Sequence, residues 1–354
     1  MRYDYSQITE KLLLWYRENA RVLPWRSNPT PYYVWISEIM LQQTRVEAVK
    51  EYFNRFIKEL PDIQALAQVE DERLMKLWEG LGYYNRARNL KKAANMVIEE
   101  FGGELPRNYE KLLTLSGIGS YTAGAISSIA YGLPVPAVDG NVLRVTKRLS
   151  AGYEDITKES VKKELFLQLK EDMPKEAAGA FNQALMEIGA MVCIPNGKPL
   201  CEKCPIAEFC LAYQQEVAME LPVKPAKKGR KIEEKTILVF EYQGKYGLHK
   251  RGDKGLLAGL WEFPGIEGKL GIERLETLLE EHKLKEYEMQ LLGEAKHIFS
   301  HVEWRMLGYG IRMEKKCPSF EEQELFSELV WVNKEQLEKE FALPSAFRAY
   351  REQL

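Results

Sequence analysis

Hydrophobic positions recur every three to four residues from Ser6 to about Tyr213, which is the period of amphipathic helices. The segments of this pattern are separated by prolines: Pro24, Pro29, Pro31, Pro61, Pro106, Pro134, Pro136 and Pro174. After residue 232 the pattern changes to short β-rich runs at 235–242, 245–251 and 302–311, with helical stretches at 272–281 and 334–341. We therefore predict an all-α region followed by an α+β region whose strands are mainly antiparallel.

One short stretch between these regions has the composition of a linker. Residues 221–231, LPVKPAKKGRK, contain two prolines, five positive charges and almost no apolar side chains. At 354 residues the chain is also too long for one ordinary core. We predict a first domain over 1–220, a basic linker over 221–232 and a second domain over 233–354.

The composition excludes several classes of protein. No apolar run approaches the ~20 residues of a membrane span, and residues 1–16 lack a secretory signal pattern, so we expect a cytoplasmic monomer, nucleoid-associated if bacterial, with no membrane partner. The net charge of −2 means that any DNA contact must use a local patch and backbone amides. All four histidines fall in the last third of the chain, which excludes a histidine base or a Ser-His-Asp triad in the first domain.

Two carboxylates of the first domain are candidate catalytic groups. Glu38 is the one ionisable residue of PYYVWISEIML (31–41), and burial there would raise its pKa and keep a proton available. The alternative is a partly exposed glutamate on a helix edge. Asp139 of VDGNV either is an ordinary helix N-cap or is kept ionised by amides at that helix start. Together they would form the acid-and-stabiliser pair that glycosidic bond cleavage requires.

Two further motifs lie in the first domain. Gly117 and Gly119 of LSGIG allow a tight hairpin whose amides could hold a DNA phosphate, although a plain helix connection fits as well. The spacing Cys193-x7-Cys201-x2-Cys204-x5-Cys210 favours a [4Fe-4S] cluster, with structural zinc as the alternative. The fifth cysteine, Cys317, stands alone.

Taken together, these motifs resemble a known family. LSGIGSYTAG, VDGNV and the four-cysteine loop at 193–210 are similar to the helix-hairpin-helix glycosylases of the endonuclease III superfamily. Within it, WISEIMLQQTRV, EGLGYYNRARNL and FNQALMEIGAMVC resemble the MutY-type adenine DNA glycosylases. The family usually has six residues between its first two cluster cysteines, and this chain has seven. The resemblance implies an all-α helix-hairpin-helix core with a [4Fe-4S] loop, linked to a Nudix-like α+β domain.

The resemblance also implies roles for individual residues. Glu38 would protonate N7 of a flipped adenine, and Asp139 would stabilise the oxocarbenium ion, electrostatically or by transient covalent attachment, with support from Asn141. Tyr121 stands where lyase-competent relatives have a catalytic lysine, which implies a monofunctional enzyme that leaves an abasic site. The adenine pocket would include Trp25, Arg26 and Gln183. The base stack would be filled, and the orphaned guanine held, by Gln43, Thr44, Leu81 and Tyr83. The plainer alternatives are that Trp25 and Leu81 belong to the core and that Arg26 forms a surface ion pair.

The second domain resembles the Nudix fold through GLLAGLWEFPG (255–265). Gly271 stands where a working hydrolase box needs a glutamate, and ERLETLLEEH (273–282) lacks the paired metal ligands, so we expect binding without hydrolysis. Phe299, Ser300 and His301 match the family loop that reads oxidised guanine. The implied partner is double-stranded DNA containing adenine opposite 8-oxoguanine or guanine.

Three alternative functions stay open at this point. The first is a bifunctional glycosylase and lyase acting on oxidised pyrimidines, which Tyr121 disfavours. The second is a non-catalytic sensor of DNA damage. The third is a nucleotide-pool hydrolase, which the altered Nudix box disfavours.

Overall fold

A computed structural model describes residues 2–226, 229–282, 284, 286–314 and 329–354. The chain divides into two compact units, one formed by Met1–Val69 and Asn85–Ala226 and the other by Glu70–Tyr84 and Lys227–Leu354. The sequence placed residues 70–84 in the first domain, whereas the structure groups them with the second unit. Cys317 and part of the basic linker, residues 227 and 228, lie outside the described residues.

The first unit is helical, as the hydrophobic period predicted. Its helices are α1 (Thr9–Asn19), α2 (Pro24–Ser27), α3 (Pro31–Leu41), α4 (Val46–Glu59), α5 (Ile63–Gln68), α7 (Asn85–Phe101), α8 (Tyr109–Leu113), α9 (Ser120–Ala125), α10 (Gly140–Leu149), α11 (Glu159–Asp172), α12 (Ala178–Met191) and α13 (Leu211–Gln214). A π-helical turn, Ile126–Ala130, continues α9. One core of this unit joins apolar side chains of α1, α10, α11 and α12.

Helix α3 begins where its sequence indicates. The Thr30 hydroxyl accepts a hydrogen bond from the Tyr33 amide at 3.2 Å, and Pro31 occupies the first helical position. Most of its residues are buried, including Glu38, which is 6% exposed. The predicted buried glutamate is confirmed, and the alternative of an exposed helix edge is wrong.

The second unit contains the helix α6 (Asp71–Leu77) and a seven-stranded sheet. Its strands are β1 (Lys231–Tyr242), β2 (Lys245–Lys250), β3 (Trp261–Glu262), β4 (Gly265–Glu267), β5 (Tyr287–Ile298), β6 (Val302–Met313) and β7 (Val330–Asn333). The order is β3-β2-β1-β6-β5, and β4 pairs with β1 while β7 pairs with β2. Its later helices are α14 (Ile272–Glu281), α15 (Lys334–Lys339) and α16 (Arg348–Arg351). One face of the sheet packs on α14, and the other packs on α15 and α16.

The sheet confirms the prediction of mainly antiparallel strands and corrects the predicted end of the linker. Its strands are antiparallel except for the central pair of β1 and β6, which is parallel over twelve aligned positions from Lys231 with Val302 to Tyr242 with Met313. Strand β1 also begins at Lys231, inside the predicted linker over 221–232. Backbone pairing with β6 therefore extends the strand into basic residues that composition assigned to a linker. No helix among the described residues is long and apolar enough to cross a membrane.

Candidate active site

A cavity of about 530 Å³ opens in the first unit among α2, α3, α9, α10 and α12. Nine of the residues selected from the sequence line it: Trp25, Arg26, Glu38, Gln43, Thr44, Tyr121, Asp139, Asn141 and Gln183. Trp25 is 4% exposed and also packs edge-on against Phe53, so its core role and its place on the cavity wall coexist. The cavity is the site around which the candidate chemistry is arranged.

Glu38 is the buried acid of this cavity. The Tyr121 hydroxyl donates a hydrogen bond to Glu38 Oε2. Burial raises the pKa of Glu38 to about 7, and the nearby negative charge of Asp139 adds to this rise, while the Tyr121 hydrogen bond and Arg26 oppose it. The carboxyl therefore holds a proton that it can release near neutral pH.

Asp139 caps helix α10, as the sequence predicted. Its Oδ1 accepts from the Val142 amide at 2.7 Å, and its Oδ2 accepts from Asn141 Nδ2 at 2.8 Å. Burial raises the pKa of Asp139, and these hydrogen bonds together with the Arg144 charge oppose that rise, so the desolvation penalty is the part that the sequence did not show. A positive charge arriving in the cavity would further favour the ionised form of Asp139.

A buried glutamate that the sequence analysis missed holds two arginines of the cavity. Glu187, on α12, accepts hydrogen bonds from Arg21 Nε at 2.9 Å and Arg21 Nη2 at 2.6 Å, and from Arg26 Nη2 at 3.0 Å. Its side chain is 1% exposed, so Arg26 forms a largely buried ion pair and the alternative of a surface pair is wrong. A signal was present: Glu187 follows Gln183 by four residues on one helix face.

Arg144, also missed, links the site to the cysteine loop. Its Nη2 donates to Asn141 Oδ1 at 2.8 Å and to Gly189 O at 2.7 Å, and its Nε donates to Cys193 O at 2.8 Å. Gly189 permits this approach, because a Cβ there would lie 2.6 Å from the Asn141 Cβ. The spacing of Asn141 and Arg144 within α10 was the available signal.

The glycine hairpin lies between α8 and α9. Gly117 has a φ of +75°, and a Cβ there would lie 2.7 Å from the Asn89 Cβ, so both conformation and space require glycine. Gly119 is the residue before α9, and both glycines are exposed while Ile118 between them is buried. The hairpin thus presents its backbone and inserts one apolar side chain into the core.

The four predicted ligand cysteines gather around one small space. Cys193, Cys201, Cys204 and Cys210 line a cavity of about 30 Å³ and form no disulfides. Arg148 Nη1 donates to Cys193 Sγ at 3.2 Å. Across the described part of the chain, no group of three or more His, Cys, Asp or Glu side chains is arranged so that it could hold a metal ion.

The remaining predicted residues lie in the second unit. Ser300 and His301 are exposed, and the Phe299 ring packs against His297 and Trp304 with centroids 4.6 and 4.9 Å apart. The Tyr83 hydroxyl lies 2.9 Å from Ser300 Oγ. Leu81 is 6% exposed, which agrees with the alternative that it is a core residue.

Comparisons with known proteins agree with this arrangement. Residues 36–170 match the HhH-GPD superfamily of base excision DNA repair proteins, and residues 236–353 match the NUDIX domain. The adenine DNA glycosylase of Mus musculus is 36% identical over 88% of this chain and 72% of the mouse protein. That of Buchnera aphidicola (from Schizaphis graminum) is 35% identical over 84% of this chain and 85% of its own. The chain belongs to the adenine DNA glycosylase family.

The fold of this glycosylase also matches a solved relative. A thermostable thymine-DNA glycosylase superimposes with a TM-score of 0.53 at 31% identity, covering 58% of this chain and 94% of that chain. The resemblance stated from the sequence, the helix-hairpin-helix core and the Nudix-like domain are therefore confirmed. As a member of this family, the protein is a hydrolase that acts on N-glycosyl bonds in base excision repair.

Proposed function

We propose that this glycosylase excises adenine opposite 8-oxoguanine, and opposite guanine, by monofunctional acid-catalysed hydrolysis. The observation that carries the proposal is the hydrogen bond from Tyr121 to the buried Glu38, in a cavity that Asp139 also lines. Two carboxyl groups, with no lysine among the described residues that line the cavity, suit hydrolysis of a glycosidic bond rather than formation of a Schiff base.

The first step is a proton transfer from the Glu38 carboxyl to N7 of the extruded adenine. The C1′–N9 bond then breaks, and its electron pair leaves with the base, so positive charge develops on the sugar. Ionised Asp139 stabilises this charge, and the sugar cation in turn favours the ionised form of the buried aspartate.

A water molecule completes the reaction. Its oxygen bonds to C1′, and its released proton returns to the Glu38 carboxylate, which restores the acid. Asn141 holds Asp139 in position by donating to Oδ2, and Arg144 in turn holds Asn141. The products are free adenine and an abasic site in an intact strand.

Recognition of the adenine is assigned to the polar wall of the cavity. Glu187 fixes Arg21 and Arg26, and Gln183 lies one helical turn before it. The stack is assigned to Gln43, which is exposed and has a φ of +57°, together with Thr44, Leu81 and Tyr83. A non-glycine residue in the left-handed region is uncommon and often marks a functional site.

Recognition of the opposing base is assigned to Phe299, Ser300 and His301. An 8-oxoguanine base carries a hydrogen on N7, whereas guanine has an acceptor there. The exposed Ser300 hydroxyl can accept from that N7–H, which gives a chemical reason for a preference for 8-oxoguanine. The exposed hairpin of Gly117 and Gly119 is assigned to a DNA phosphate.

We also propose that Cys193, Cys201, Cys204 and Cys210 hold a [4Fe-4S] cluster. The chemistry of the donor set fits, because four thiols without disulfides line one cavity that Arg148 borders, although in the described structure their side chains are not arranged as metal ligands. A cluster bound there supplies iron–thiolate bonds that cross-link the loop 193–210. Iron and sulfide content with visible absorbance tests this assignment, and stoichiometric zinc in their place would contradict it.

The function is tested on duplexes that differ only in the base opposite one adenine. We expect free adenine from pairs with 8-oxoguanine and guanine, little from pairs with thymine, and strand breaks only after alkali. Breaks without alkali, or a covalent complex trapped by borohydride, would show lyase chemistry and contradict the monofunctional reaction. Equal release opposite thymine would contradict the assigned specificity.

A further inference from the structure

Helix α6 carries a lysine that is buried as a charged group in the second unit. The Lys76 side chain is 8% exposed, and its Nζ donates to Leu337 O and Phe341 O, each at 3.0 Å. The same nitrogen pairs with Glu79 Oε2 at 2.6 Å. All three donors of the ammonium group are therefore occupied, two of them by the backbone around the end of α15.

Glu79 extends this arrangement to α16. Its Oε1 accepts from the Leu343 amide at 3.0 Å and from Arg351 Nη1 at 2.8 Å. The Glu79 side chain is 15% exposed. Its carboxylate is held by two cations, Lys76 and Arg351, and by the Leu343 amide. Moving this carboxylate costs free energy, because it would leave buried charged groups without their partners.

The loop that follows Glu79 turns through left-handed conformations, one of them at a non-glycine residue, Tyr83. Gly80, Gly82 and Tyr83 have φ values of +96°, +70° and +49°. For Tyr83 this conformation is unfavourable and persists only where its surroundings hold it. The Trp78 indole donates to Gly82 O at 3.1 Å, and the Tyr83 hydroxyl meets Ser300 Oγ at 2.9 Å.

We propose that Lys76, Glu79 and Arg351 form a positioning network that holds the loop 80–84 in register with Ser300 and so sets the opposing-base selectivity. The inference rests on the proposed function, because it assumes that Ser300 reads the base opposite adenine. Loosening the Glu79 anchor lets Tyr83 relax out of the left-handed conformation and away from Ser300. These three residues position other groups and touch no reacting atom.

The test replaces Arg351 with glutamine in the full chain. Glu79 keeps Lys76 and the Leu343 amide, so the variant is expected to fold. Arg348→Gln is the matched control, because Arg348 lies on the same helix, is 76% exposed and pairs with Glu352. We expect Arg351→Gln to lower the ratio of adenine release opposite 8-oxoguanine to that opposite guanine about fivefold, and Arg348→Gln to leave it unchanged.

Amide hydrogen exchange of the DNA-free protein provides a second readout. Exchange over residues 80–84 should rise about fivefold in Arg351→Gln, remain at the native level in the control and return toward it in Arg351→Lys. An unchanged ratio with unchanged exchange, or an equal loss of release on both duplexes with faster exchange throughout, would overturn the proposal.

Two further outcomes distinguish failure of this proposal from failure of the variant to fold or of the proposed function. If Arg351→Gln does not fold, Glu79→Gln decides by the same readouts, since it keeps the shape of the side chain and removes its charge. If the native enzyme releases adenine equally opposite 8-oxoguanine and guanine, the proposed selectivity fails. The exchange comparison then still decides whether the network holds the loop.

Discussion

The cavity around Glu38 and the loop at Phe299, Ser300 and His301 place polar groups in opposite surroundings. Glu38 is 6% exposed, and its partners Tyr121 and Asp139 are only partly open to solvent. Ser300 and His301 are exposed, and the neighbouring Tyr83 is 47% exposed. Burial shifts the pKa values of both carboxyls in the cavity, whereas the loop offers groups that also hydrogen-bond to water.

This difference in burial indicates that the cavity sets the rate of bond cleavage and that the loop sets the selectivity for the opposing base. In the cavity, removing a charge changes the barrier itself, because the buried surroundings do not screen it. In the loop, removing a hydroxyl exchanges one hydrogen bond for another to water, which is worth roughly 1 kcal/mol. We therefore expect large losses of rate from changes in the cavity and small losses of selectivity from changes in the loop.

The largest effect is expected for Glu38→Gln, which keeps the size of the side chain and removes the transferable proton. Single-turnover adenine release should fall by about 10³- to 10⁴-fold, while binding of the duplex is retained. Glu99→Gln, an exposed change on α7, is the control. A loss below about tenfold would show that the acid lies elsewhere.

Asp139→Asn should reduce the same rate by about 10²- to 10³-fold, because the amide oxygen can still accept from Val142 but carries no charge for the sugar cation. Thermal unfolding checks that the cap of α10 survives. Release within about twofold of the native rate would contradict an electrostatic role for Asp139.

Glu38→Gln should also make the protein more stable at alkaline pH. The pKa of Glu38 is raised from 4.5 to about 7, so its protonated form stabilises the native state below pH 4.5, and that contribution is lost as the pH rises through about 7. Glutamine suffers no such loss. The variant should exceed the native chain by on the order of 3 kcal/mol in unfolding free energy near pH 8, since one pKa unit corresponds to about 1.4 kcal/mol. An equal difference near pH 5 would contradict this explanation.

Ser300→Ala should have the smallest effect. Adenine release opposite 8-oxoguanine should fall about two- to fivefold, with release opposite guanine nearly unchanged, because one hydrogen bond to N7–H is lost. Tyr83→Phe, which removes the other hydroxyl of the pair, is the informative companion. A loss of equal size on both duplexes would remove the distinction between the two regions.

Much of the cavity was predictable because local rules agree there. Glu38 is the one acidic residue of an apolar helix, Thr30 and Pro31 mark its start, and Asp139 stands at a helix N-cap. The pKa of Asp139 was not predictable, because it depends on burial by other elements. The spacing of Glu187 from Gln183 placed both on one helix face, but its burial and its pairing with Arg21 and Arg26 depend on other elements and were missed.

The second unit was less predictable because its organisation depends on distant pairs. The parallel pairing of β1 with β6 joins residues about seventy positions apart, and no local pattern records it. In the sequence, Lys76 and Glu79 resemble solvent-exposed charged residues. In the structure, they pair with groups on or next to α15 and α16. The grouping of residues 70–84 with this unit follows from those contacts.

The most direct test of the buried acid is the pH dependence of single-turnover adenine release from an adenine:8-oxoguanine duplex. With the pKa of Glu38 at about 7, the rate should be level at lower pH and fall about tenfold per pH unit above it, and Glu38→Gln should lack this fall. A native rate that stays level to about pH 9, or a fall that persists in Glu38→Gln, would contradict the assignment of the acid.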